Sequence, residues 1–92
     1  MFHEIKDVNW LLSKGHFFYS YYYNFGKLTV VRNTPGKAIV RLIEIKDIDE
    51  YFEERASGWI EGAFKLFNVK TQIEITKRIS KGNEYTEFVI NW

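Results

Sequence analysis

His3 and His16 are the only imidazoles in the 92 residues, and there is no cysteine. Disulfides, thiolate zinc sites, iron–sulfur ligation and cysteine nucleophiles are therefore excluded together. A metal or a general base would have to rest on His16, which has no carboxylate or second ligand beside it in the sequence, or on His3, near a terminus where chains fray. Ser13, Ser20, Ser57 and Ser80 lack the strand–turn–helix setting of a nucleophile elbow. Glu53, Glu54 and Glu61 read as the solvated side of a helix, where nothing separates two carboxyl pKa values into an acid and a base. Gly58 and Gly62, inside a polar-faced helix, do not form a phosphate loop. Arg32, Arg41 and Arg78 could grip a carboxylate bidentately, and pairing with a nearby acid or facing solvent is the simpler reading. These residues imply no catalytic constellation, no metal and no cofactor, so the chain is expected not to be an enzyme.

The aromatic residues carry more information. Eight Phe, six Tyr and three Trp are present, and seven of them crowd into Phe17, Phe18, Tyr19, Tyr21, Tyr22, Tyr23 and Phe25. As a helix or as a strand this block covers more than one face, so one small core cannot easily bury it all. Three readings follow. Tyrosine has an apolar body and a polar tip, which suits a lid over an apolar ligand. Stacked aromatics also suit single-stranded nucleic acid, but that normally needs a basic groove, and residues 16–26 contain no Lys or Arg. The third reading is core plus subunit interface, since interfaces are enriched in aromatics. Phe17, Phe18, Tyr21 and Tyr23 are the expected interface. Tyr22, Trp59, Phe64 and Phe88 are the expected boundary of a pocket between a long helix and a sheet.

Elements must position these residues. Residues 6–25 read as helical, with Gly15 dividing them into two short helices. Residues 27–33 and 37–45 read as a hairpin, and Pro35-Gly36 supplies type II turn chemistry. Residues 48–67 form the most secure helix: Ile48, Phe52, Ala56, Trp59, Ile60, Ala63, Phe64 and Phe67 follow the spacing of one buried face. Asp47 is the expected N-cap, with Glu50 completing a capping box. Gly58 and Gly62 each cost about 1 kcal/mol in a helix interior, and their one-turn spacing suggests close approach of another backbone. Residues 70–78 and 84–92 read as a second hairpin around Ser80-Lys81-Gly82-Asn83, with Thr86, Phe88, Ile90 and Trp92 on one side. The expected fold is a single α+β domain over residues 1–92. Its order is helix, hairpin, long helix, hairpin, with a four-stranded antiparallel sheet packed against the long helix.

Composition narrows the partners. Hydrophobic residues make up 46%, too many for an intrinsically disordered chain. A net charge of +1 with interleaved signs gives no footprint for nucleic acid or an anionic membrane. No apolar run approaches the roughly 20 residues of a membrane span, and the first residues have neither the basic nor the apolar region of a signal peptide. A cytoplasmic location is expected.

The second half resembles a known family at specific residues. Gly58-Trp59-Ile60-Glu61-Gly62-Ala63, a strand carrying Ile73-Glu74-Ile75, and Gly82-Asn83-Glu84-Tyr85-Thr86-Glu87-Phe88-Val89-Ile90-Asn91-Trp92 look like the C-terminal half of the 4-vinyl reductase domain superfamily. That group includes heme–nitric-oxide-binding-like sensor domains, subunits of TRAPP transport complexes and an uncharacterised myxobacterial family. Tyr22-Tyr23-Asn24-Phe25-Gly26-Lys27-Leu28 also resembles the last of these. Arg78 and Thr86 stand where relatives often carry cysteines, so a metal or redox role resting on that pair is not implied. Complete members have a longer N-terminal helical portion, and neither His3 nor His16 stands in a heme-ligating motif. The resemblance implies a minimal form of the domain. The expected function is non-enzymatic binding or sensing of a small apolar or aromatic molecule as a homodimer; the alternative is a structural assembly module without a ligand.

Overall fold

The computed structural model describes residues 8–23 and 26–92, apart from the side chains of His16, Phe18, Tyr21 and Tyr22. Seven principal elements follow in order: α1 (Val8–Ser13), α2 (Gly15–Tyr22), β1 (Lys27–Thr34), β2 (Lys37–Ile43), α3 (Glu50–Lys65), β3 (Gln72–Lys77) and β4 (Thr86–Asn91). A short 3-10 turn, Ile79–Lys81, lies between the last two strands. The expected α+β order of helix, hairpin, long helix and hairpin is present, with the N-terminal helix divided at Lys14 and Gly15.

The first hairpin turns where the sequence allows it. Gly36 sits at φ +80°, a conformation that a Cβ would strain, and a Cβ there would also lie 3.2 Å from the Trp92 carbonyl oxygen. The Trp92 amide donates to the Gly36 carbonyl at 3.0 Å, which ties the end of β4 to this turn.

Helix α3 is capped by Asp49, not by Asp47. The Asp49 carboxylate accepts the Phe52 amide hydrogen at 2.8 Å from an extended backbone. Asp47 has φ +55° and belongs to the preceding turn. Both aspartates suit a cap by type; the backbone geometry three residues before a free amide selects the second. At the other end Asn68, at φ +61°, donates to Lys65 and Val69 donates to Phe64. This pair of bonds is a Schellman closure, which satisfies two of the last carbonyls and holds Leu66 and Phe67 in the final turn.

The four strands form one antiparallel sheet in the order β1-β2-β4-β3. Alternation decides what lies under α3. Ala38, Val40 and Leu42 of β2 and Thr86, Phe88 and Ile90 of β4 are buried, with Val40 opposite Phe88 and Ala38 opposite Ile90. Leu11, Leu12, Tyr19, Leu28, Ile60 and Phe64 complete the core. Both edge strands carry an irregularity, at Val31 in β1 and Thr76 in β3. Such bulges twist an edge away from further strand pairing.

The other sheet face carries a polar cluster. Arg41 Nε donates to Glu87 at 2.8 Å, and the Thr76 hydroxyl donates to the other Glu87 oxygen at 2.8 Å. The Arg41 guanidinium also lies 4.3 Å from the Tyr85 ring centre. The Thr76 hydrogen bond, helped by Arg41 and against partial burial, holds the Glu87 carboxyl below its ordinary pKa. The cluster is open to water on one side, so Arg41→Ala is expected to cost only about 1 kcal/mol or less by chemical denaturation.

Candidate functional site

Helices α1 and α3 enclose a groove on the side of α3 facing away from the polar cluster of the sheet. Trp10 and Leu11 form one wall; Trp59, Gly62 and Ala63 form the other; Leu66 and Phe67 close the end. Its volume is about 470 Å³, and its lining is almost wholly apolar. Trp10 and Phe67 face each other across it, with ring centres 6.3 Å apart at 50°. Leu66 is 83% exposed at the rim. Among the described residues α1, Val8–Ser13, supplies the wall opposite α3. It offers an apolar surface and, among the described residues, no convergent charges. Apart from Leu66, its lining consists of the core residue Leu11, half-buried side chains packed against the core and one exposed glycine.

The space directly between α3 and the sheet is filled. A void of about 30 Å³ remains, lined by Leu11, Leu12, Leu28, Val40, Trp59, Ile60, Phe64 and Ile90 among others. It has room for one water-sized body but offers it no hydrogen-bond partner, so it stays dry. Phe64 and Phe88 are 1% and 0% exposed and act as core. Of the four residues expected to bound a pocket, only Trp59 reaches both the void and the outer groove. The Tyr22 side chain lies outside the described residues.

The aromatic block divides similarly. Tyr19 is buried; Tyr23 stacks on it at 5.0 Å and meets Phe52 edge-on at 5.6 Å. Burial first, and then neighbouring Tyr23, push the Tyr19 phenol up to about 12. Tyr23 thus packs within its own chain, while Phe17 is 60% exposed. The side chains of Phe18, Tyr21 and His16, and all of His3, lie outside the described residues.

A second constellation overturns one expectation. Glu53 does not face solvent: it is 0% exposed, on the inner side of α3. Its Oε1 accepts from the Ser80 hydroxyl at 2.5 Å, and its Oε2 accepts from the Thr86 hydroxyl at 2.5 Å and the Ser80 amide at 3.3 Å. Thr86 in turn accepts the Ile79 amide at 3.1 Å. Arg78 Nη1 lies 3.5 Å from Glu53, while its Nη2 bonds Glu54 at 2.6 Å. Burial by itself would raise the Glu53 pKa. The two hydroxyls, the amide and the Arg78 charge outweigh it and hold the carboxyl below its ordinary value. Every oxygen is satisfied, so this is a clasp between α3 and the β3–β4 connection. Arg78 and Thr86 both belong to it. A carboxylate at the helical spacing of Ile60 and Phe64 was the available signal; the partners lie 25 or more residues away in the chain.

Arg32 is exposed, and Arg41 and Arg78 pair with acids as described. Among the described residues no group of three His, Asp or Glu side chains could hold a metal ion. No described helix is long and apolar enough to cross a membrane. Comparison with protein-family models, with curated proteins and with solved structures finds no match.

Proposed function

We propose that this chain is a non-enzymatic, cytoplasmic binding domain, active as a homodimer, that takes a small apolar or aromatic molecule in the groove between α1 and α3. The observation that carries the reading is the groove itself: about 470 Å³ of apolar space walled by Trp10 and Trp59. Ligand sites commonly occupy roughly 300–1,000 Å³ and are lined mainly by hydrophobic and aromatic side chains. Binding would draw on burial of apolar surface, about 25 cal/mol per Å² before the costs of association. The resemblance of residues 58–62 and 82–92 to 4-vinyl reductase domains, a group with sensor members, fits this reading.

The test is native mass spectrometry of freshly purified protein, followed by titration with anilinonaphthalene sulfonate as an apolar aromatic probe. A reproducible extra mass and saturable probe binding are expected. Leu66→Ala removes a rim side chain that is 83% exposed, so it should leave stability within about 0.5 kcal/mol. It should weaken probe binding, and Trp59→Ala should weaken it by about tenfold or more. Unchanged binding in both variants removes the groove as the site.

A second reading, an assembly module without a ligand, is favoured by the apolar side chains left in solvent, Phe17, Tyr51 and Leu66. Such a module would show concentration-dependent melting and no response to small molecules.

A further inference from the structure

We infer that the cleft between the last turns of α3 and the ends of β3 and β4 is a second binding site, which takes a small organic anion, a carboxylate or a phosphate ester, with an apolar or aromatic body. It shares no lining residue with the groove and stands independently of the reading above.

The cleft has a volume of about 610 Å³. Glu61 and Lys65 of α3 form one side, Lys70 and Thr71 of the following connection another, and the paired ends of β3 and β4, with Trp92, the third. At about 100° per residue, Glu61 and Lys65 stand about 100° and 140° round the helix from Ile60. Trp59, Ala63 and Leu66 stand about 60–120° round in the other direction. The cleft and the groove therefore occupy opposite flanks of α3, with the core between them. On the outer face between the flanks, a Cβ added at Gly58 or Gly62 would meet nothing within 4 Å, so the close approach suggested by their spacing is absent among the described residues.

The end of α3 brings the two lysines together. The Asn68 amide donates to the Lys65 carbonyl at 2.9 Å and the Val69 amide to the Phe64 carbonyl at 3.2 Å, so the chain turns back there. Lys65 and Lys70 also share a smaller hollow of about 250 Å³ with Asn68 and Val69. The charges set the sign of the ligand. Lys65, Lys70 and Glu61 take part in no ion pair among the described residues, although Glu61 and Lys65 have the i, i+4 spacing that favours one. Two ammonium groups against one carboxylate leave a positive charge unmatched in the lining. A cation in the last turn suits the helix dipole, which accounts for Lys65 but not for Lys70.

Thr71 points to a ligand independently of charge. It is 8% exposed, and its hydroxyl oxygen is buried with no hydrogen-bond partner among the described residues. An unpaired buried hydroxyl is destabilising, and a bond to a ligand oxygen relieves it. Trp92, half-buried with its ring centre 5.3 Å from that of Phe64, offers an aromatic surface to the ligand's body. Ammonium donors for an anionic group beside an indole fit an organic anion better than a bare one.

Isothermal titration of the full chain with phenylacetate and with phenyl phosphate tests this. Inorganic phosphate and benzyl alcohol serve as the bare anion and the neutral body. Saturable binding of an organic anion is expected, weakened by added salt, with both controls at least about tenfold weaker. The tighter of the two organic anions decides between carboxylate and phosphate ester. Lys65→Gln and Lys70→Gln should each weaken binding by about threefold or more, and the double substitution by about tenfold or more. Glu61→Gln should tighten it, since a like charge is removed. Thr71→Val should leave the ligand-free melting temperature unchanged or raised, because the unpaired hydroxyl is gone, and should still weaken binding. A hydroxyl serving only the fold would not give that split. Leu66→Ala, in the groove, should change none of these values. Failure of both organic anions to bind the wild-type chain overturns the site, as does binding that the double lysine substitution leaves unchanged. Binding lost in Leu66→Ala instead places the ligand in the groove and overturns the site as well.

Discussion

Glu53→Ala is expected to cost about 3 kcal/mol or more, because removing one member of a buried charged network leaves the others desolvated and unpaired. The substitution strips the Ser80 hydroxyl and amide and the Thr86 hydroxyl of their shared acceptor, and leaves the Arg78 guanidinium without the charge 3.5 Å from its Nη1. For a domain of this size the melting temperature should fall by roughly 12–24 °C. That is a large part of the roughly 5–14 kcal/mol that a chain of 92 residues is expected to have. Glu53→Gln keeps the shape and one acceptor oxygen, so it should lose less.

The same carboxylate gives the fold a pH dependence with a definite sign. Its pKa in the folded chain lies below the ordinary 4.5. The stabilisation is therefore complete above the unfolded-state pKa. It is lost as pH falls from there through the lower folded-state value. Wild-type protein should destabilise steeply with acid below about pH 4.5, and Glu53→Gln should flatten that part of the curve. Urea melts at neutral pH and at successively lower pH measure it. Equal acid sensitivity in the two proteins would assign the effect to other carboxylates, Glu87 first among them.

Phe88→Ala is expected to cost about 3–5 kcal/mol, the range for emptying a buried aromatic position. Phe88 is 0% exposed at the middle of the sheet, opposite Val40 on one side and Ile75 on the other. The cavity cannot collapse easily, because both neighbours sit on hydrogen-bonded strands. The expected outcome is global loss of stability, with probe binding falling only as the folded fraction falls. Trp59→Ala should behave differently: Trp59 is half-buried and lines the outer groove, so binding should fall while most molecules stay folded. Selective loss of binding by folded Phe88→Ala protein would place a ligand between helix and sheet after all.

Phe88 and Trp59 differ in what packs over them, which residue type and spacing do not specify. Phe88 and Trp59 are alike in type, and both fall on apolar faces. What separates them is whether another element lies over that face. Trp59 is half-buried on the flank of α3 that lines the groove, whereas Phe88 is fully buried in the sheet. Glu53 reverses the usual rule. A glutamate in a charged helix is read as solvated, and only Ser80, Thr86 and Arg78, brought beside it by the β3–β4 connection, make its burial affordable.

The sequence by itself determined the elements and their order, because these depend on local physics. Pro35-Gly36 made the turn, the Gly15 interruption agreed with the divided helix, the 3–4 spacing from Phe52 to Phe67 made α3, and alternation in β2 and β4 chose the buried face. Tertiary structure alone decided the strand order β1-β2-β4-β3, the cap at Asp49 over Asp47, the clasp on Glu53 and the placement of the apolar groove outside the helix. Each of these depends on contacts between residues far apart in the chain, or on backbone angles set by such contacts. Residue type and spacing do not encode them one at a time.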